Sequence, residues 1–91
     1  MSDDNPLLSL RDKIDALDLQ IMQSISERAR CAQQVAEVKK DQGDKAYYKP
    51  EREAQVLRHI MDRNTGPLGN EDMARLFRQI MSSCLALEQP I

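Results

Sequence analysis

From Leu7 to Gln42 the chain contains neither glycine nor proline. Over that stretch Leu10, Ile14, Leu17, Ile21, Ile25, Ala32 and Val35 recur at spacings built from three and four, the signature of one apolar helix face. The intervening residues are mostly Leu, Ala, Gln, Glu, Lys and Arg, all good helix formers. Asn5-Pro6 supplies a start signal, a capping side chain followed by proline at the first helical position. Gly43 supplies the stop. A single helix of about 35 residues follows, and it is about 50 Å long at 1.5 Å per residue. A compact domain of this size has a radius of gyration near ~12 Å and a diameter of roughly 30 Å. About 20 Å of apolar stripe would therefore stand in water. Because no breaker allows the helix to fold back, a second chain is the simplest cover.

The rest of the chain adds two shorter helices. Gly43 to Lys49 reads as a loop, after which Pro50 opens a second helix with Glu51 and Glu53 in the first turn, where the helix dipole favours acids. Leu57, Ile60 and Met61 give that helix its apolar face, and Asn64-Thr65-Gly66-Pro67 ends it. Asn70 is expected to cap a third helix, whose stripe is Met73, Leu76, Phe77, Ile80, Met81, Cys84 and Leu87. No strand pattern or internal repeat is present. The expectation is an all-α fold, three helices of which one is very long, forming an intertwined helical homodimer from a single domain over residues 1–91.

Composition removes several function classes. Ninety-one residues leave little room for a second core. Lys plus Arg is 13 and Asp plus Glu is 15, for a net charge of -2, so no broad field attracts nucleic acid or anionic membrane. Tyr47, Tyr48 and Phe77 are the only aromatics, too few for base stacking. Cys31 and Cys84 form neither a disulfide framework nor a metal-ligand spacing, and His59 has no His or Cys near it in sequence. No metal is expected. No apolar run approaches the ~20 residues of a membrane span, and the acidic start Met1 to Asn5 is wrong for a signal peptide. A reduced cytoplasmic setting is the default expectation.

The informative anomaly is charge inside the stripe. At about 100° per residue from Leu10, the apolar positions of the first helix fall within a sector of about 80°. Arg28 and Lys39 fall inside the same sector; Arg11 sits at its margin and Arg30 points away. An unpaired buried cation is costly. Either these side chains snorkel or pair with acids of a neighbouring helix, or they face a pocket for an anion. Arg28 and Lys39 are about 16 Å apart along the axis, so the tips of two long side chains can converge on one small molecule. Arg11 is about 25 Å before Arg28, out of reach of that molecule within one chain. If it is functional, it must serve the site of an antiparallel partner.

Four further residues have bland accounts. Cys84, central in the third stripe, packs as a small hydrophobe. Glu88, in the last turn where the dipole disfavours it, reads as a frayed and solvated residue. Arg52 and Glu53 read as an exposed ion pair of little worth.

The motifs nonetheless fit a pattern jointly. Asn5-Pro-Leu-Leu-Ser-Leu-Arg-Asp-Lys-Ile-Asp-Ala-Leu-Asp18, then Ile25-Ser-Glu-Arg-Ala29 and Val35 to Lys39, resemble the first helix of the helical, AroQ-type chorismate mutases. Tyr48-Lys-Pro-Glu-Arg-Glu53 resembles their second-helix motif. Arg75-Leu-Phe77 and Ser82-Ser-Cys-Leu-Ala-Leu-Glu-Gln-Pro90 resemble the mutase domain of bifunctional chorismate mutase–prephenate dehydratases. The Glu-Gln-Pro ending resembles the start of a linker. The likeness runs over nearly the whole chain, and the order and spacing of the motifs carry it.

The resemblance implies the Claisen rearrangement of chorismate to prephenate, a step toward phenylalanine and tyrosine, without cofactor. It implies that Arg28 and the partner's Arg11 bind the two substrate carboxylates, that Lys39 contacts the ether oxygen and a carboxylate, and that Glu53 holds the ring hydroxyl with support from Arg52. Residue 84 would lie beside the ring carboxylate, and residue 88 would face the ether oxygen. Lys39, Glu88 and Arg28 would be the catalytic set. Three positions depart from the pattern: Cys84 where serine is frequent, Lys49 where some members carry an acid, and Glu88 where some carry glutamine. An ionised glutamate only accepts hydrogen bonds and so does an ether oxygen, so Glu88 must carry a proton to help. Two other readings stay open, an isochorismate pyruvate-lyase on the same helical fold and a non-catalytic dimerisation module whose inward cations set register.

Overall fold

The computed structural model describes residues 5–43 and 49–88, and these form three helices, α1 (Pro6–Asp41), α2 (Pro50–Arg63) and α3 (Asn70–Glu88), with no strand among the described residues. The acidic start of the chain, most of the loop expected after Gly43 and the linker-like ending lie outside the described residues. The all-helical expectation is met, and the helix bounds fall close to those read from the breakers.

The long helix begins as its sequence dictates. Asn5 is extended, its side chain accepts a hydrogen bond from the Leu7 amide at 2.9 Å, and Pro6 occupies the first turn. Nothing then interrupts the 36 residues of α1. Its C-terminus closes through the Gln42 amide to the Val38 carbonyl and the Gly43 amide to the Lys40 carbonyl, both 3.0 Å. Gly43 has φ +79, a left-handed conformation that costs an L-residue roughly 1–2 kcal/mol. Lys39 and Lys40 lie in the last turn, where the dipole favours cations.

The turn between α2 and α3 depends on Asn64. Its Oδ1 accepts from the Gly66 amide, while its Nδ2 donates to the Leu68 carbonyl at 2.8 Å and to Asn70 Oδ1 at 2.9 Å. This corrects the expectation for Asn70. The first α3 bond runs from the Met73 amide to the Gly69 carbonyl, so Gly69 holds the cap position and Asn70 is the first helical residue. The Asn70 side chain is engaged across the turn by Asn64 rather than by the amides of its own helix.

The core is thin. α3 packs against both α1 and α2, and Leu57, Ala74 and Cys84 are the buried apolar residues among those described. Only the C-terminal part of α1 takes part: Arg28, Ala29, Ala32, Ala36 and Lys39 are half-buried, whereas every residue from Pro6 to Glu27 is exposed. The chain measures 64 × 26 × 18 Å with a radius of gyration of 17.5 Å, well beyond the ~12 Å of a compact domain of this length. Leu10, Ile14, Leu17 and Ile21 are each 47–58% exposed. The projecting apolar stripe expected from helix length is therefore present in the single chain.

Candidate active site

One open cleft of about 490 Å³ takes side chains from all three helices. α1 contributes Arg28, Cys31, Ala32, Val35 and Lys39. These residues share the side of α1 that carries Leu10, Ile14 and Ile21 further up, so the stripe that stands bare in the first half of the helix becomes a cleft wall in the second. The start of α2 contributes Arg52, Glu53 and Val56, with Lys49 just before it. α3 contributes Arg78, Met81, Ser82, Cys84, Leu85 and Glu88, at the three-, four- and seven-residue spacings of one helix face.

A second hollow, also of about 490 Å³, lies beside it. Phe77 lines it, and Arg28, Arg52 and Val56 line both. Arg28 and Arg78 both line the first cleft. Lys39 lies about 16 Å further along α1 and Glu88 about 15 Å further along α3, and both line the first cleft. Apolar walls from Val35, Val56, Met81 and Leu85 accompany these charged side chains.

Of the residues singled out from sequence, Arg28, Lys39, Arg52, Glu53, Cys84 and Glu88 are brought together here. Arg28, Lys39, Glu53 and Glu88 are half-buried and Cys84 is buried, so Cys84 is both core and cleft wall. Glu88 is the last residue of α3, yet it is half-buried and lines the cleft. Arg52 is exposed and its Nη1 donates to Gln55 Oε1 one turn on, at 2.7 Å. Arg11 is exposed and absent from the cleft, as its distance along α1 requires. Sequence reasoning missed Cys31, Arg78 and Ser82 as cleft residues. Cys31 and Ser82 carry no charge anomaly, and Arg78 lies at the margin of the α3 stripe, where a cation is ordinary.

Chemically, the cleft sets five cationic side chains against two carboxylates in a chain whose net charge is -2. It suits a small organic dianion with an apolar body. Among the described residues no cluster of His, Cys, Asp and Glu is gathered that could hold a metal ion, and no helix is long and apolar enough to cross a membrane.

Comparison with known proteins agrees with this geometry. Residues 10–89 match the family described as chorismate mutase type II. The chain is 62% identical over 95 residues to a bifunctional chorismate mutase/prephenate dehydratase of Stutzerimonas stutzeri, covering 100% of this chain and 26% of that protein. It spans about a quarter of the length of the curated relatives it matches. Among solved structures, a chorismate mutase (form II) from Thermus thermophilus superposes with a TM-score of 0.88 at 30% identity, covering 92% of this chain and 94% of that one. A chorismate mutase from Helicobacter pylori in complex with prephenate superposes with a TM-score of 0.83 at 25% identity, covering 93% and 91%.

Proposed function

The chain belongs to the type II chorismate mutase family, and on that premise we propose that it rearranges chorismate to prephenate in the cleft lined by Arg28 and Lys39. The observation that carries this reading is the convergence of Arg28, Lys39, Glu53 and Glu88 from three helices on one cleft with apolar walls. The reaction is unimolecular. A C–O bond breaks as a C–C bond forms, and the demand on the protein is to hold a compact, chair-like conformer while charge develops on the ether oxygen. Fixed cations and hydrogen-bond donors meet that demand. A nucleophile or acid–base pair is not required.

In this reading Arg28 holds one carboxylate and Lys39 reaches the ether oxygen and a carboxylate. Glu53 accepts from the ring hydroxyl, with Arg52 beside it. Cys84 offers only a weak S–H donor toward the ring carboxylate. Glu88 faces the ether oxygen across from Lys39. The two cysteines have no covalent role.

The functional unit is a homodimer with sites shared between chains. Two features support this: the bare stripe of α1, and the inability of Arg11 to reach its own cleft across about 25 Å of helix. An antiparallel partner lays its α1 along the exposed stripe and brings its Arg11 to the cleft. The setting is the cytoplasm, where the free thiols of Cys31 and Cys84 stay reduced. The test is direct. The purified chain should convert chorismate to prephenate, and Arg28→Ala should abolish most of that conversion. Pyruvate release from isochorismate in place of chorismate loss would instead assign the lyase reaction, and inactivity toward both would leave a dimerisation module.

A further inference from the structure

We infer that Arg78 is a capture residue for the substrate dianion: an exposed guanidinium at the mouth of the cleft that raises the rate and strength of substrate capture without taking part in the rearrangement. The inference rests on the mutase reading above and goes beyond it, because Arg78 is in neither the motif set nor the charge anomaly of α1.

Three observations carry it. Arg78 lines the cleft together with Arg28, the residue assigned to a carboxylate. It is exposed, whereas Arg28 and Lys39 are half-buried. On α3 it lies about 120° from the buried Cys84 and one turn beyond the buried Ala74, so it is its exposure that places it on the rim. Third, the chain as a whole is anionic, with a net charge of -2. The global field therefore opposes the approach of a dianion, and attraction must come from a local group of cations over low-dielectric walls, where field lines are focused. A rim cation is felt by an approaching anion before the half-buried pair can be reached.

Such a role predicts a particular dependence on charge and salt. A single cation about 8 Å from a dianion, acting through water, changes capture by about 3- to 5-fold at low ionic strength. Most of that disappears once the screening length falls to roughly 3 Å near 1 M salt. The effect depends on charge rather than on the planar fork of a guanidinium, so lysine should substitute for arginine.

The experiment is steady-state kinetics on chorismate for the wild-type chain and for Arg78→Gln, Arg78→Lys and Arg78→Glu, at low and at high salt, with helicity checked by circular dichroism. Arg78→Gln should lower kcat/KM about 3-fold at low salt and leave kcat undiminished. Arg78→Lys should stay near wild type, and Arg78→Glu should lose about 10-fold. All three should converge on the wild type at high salt. An Arg78→Gln enzyme equal to wild type at low salt, a loss that survives high salt, or a fall in kcat would overturn the inference while leaving the mutase reading intact. A wild-type chain that leaves chorismate unchanged would defeat both. A variant that lost helicity would be replaced by Arg78→Glu paired with Arg78→Lys, since these differ in charge at one exposed site, and equal kinetics for that pair would also overturn the inference.

Discussion

Glu88 concentrates the chemistry at the scale of single residues. It ends α3 and lines the cleft together with Arg28, Lys39, Lys49, Arg52, Arg78 and Glu53. The ionised form of a carboxyl can only accept, and the ether oxygen it faces in our reading can only accept. A side chain that donates at this position should therefore serve the reaction better than one that only accepts. Glu88→Gln, whose amide donates, should keep or raise kcat/KM, whereas Glu88→Ala should lower it; equal kinetics for the two variants would remove Glu88 from the site. Arg28 and Lys39 test the electrostatic part separately. Removing a preorganised donor or cation aimed at developing charge costs about 10²–10³ in kcat, so Lys39→Ala should show most of its loss in kcat. Arg28→Ala should add a large rise in KM. Stopped assays over a range of chorismate concentrations resolve the two. These residues were legible in sequence because a cation in an apolar seam is anomalous. Glu88 was legible only through the family resemblance: by position alone an acid at a helix end looks solvated, and it is the packing of the helices that brings it to the cleft. Arg78 was invisible for the converse reason, being a cation on a helix margin where cations are common.

At the scale of elements, α1 shows how much a breaker-free run determines. Its start at Asn5-Pro6 and its end at Gly43 follow from local chemistry alone, and so does its length. Asn70 shows the limit of that kind of reading. The residue type suited a cap and the position was off by one, because the Asn70 side chain answers to Asn64 across the turn, a tertiary contact with no local signature. The first half of α1 also has a consequence for stability. Ile14 is 55% exposed in the single chain, and in the proposed dimer it is buried against the partner. Ile14→Asp would be harmless on a solvated helix face. At a symmetric interface it places two carboxylates in an apolar seam. Sedimentation should then show monomer at concentrations where the wild type is dimeric, with at least about a 10²-fold loss of activity because each cleft loses the partner's Arg11. An Ile14→Asp protein that stays dimeric and active would place the interface elsewhere.

On the scale of the whole molecule, a single chain leaves much of its apolar surface uncovered. It has a radius of gyration of 17.5 Å, three buried apolar residues among those described and a helix whose first half is exposed throughout. The sequence foretold the projecting rod from length and periodicity, but the partner's placement rests on distance: Arg28 and Lys39 can serve one ligand, and Arg11 cannot join them within its own chain. The proposal is therefore a chorismate-rearranging site built from two chains, and subunit mixing separates it from a site within one chain. Arg11→Ala and Arg28→Ala proteins, each nearly inactive alone, are combined in equal amounts under conditions of demonstrated subunit exchange. In a twofold dimer with shared sites, each mixed dimer regains one intact site and carries one doubly impaired site, so chorismate mutase activity should recover to about a quarter of the wild-type value. Activity that stays at the level of the separate variants would contradict the shared site.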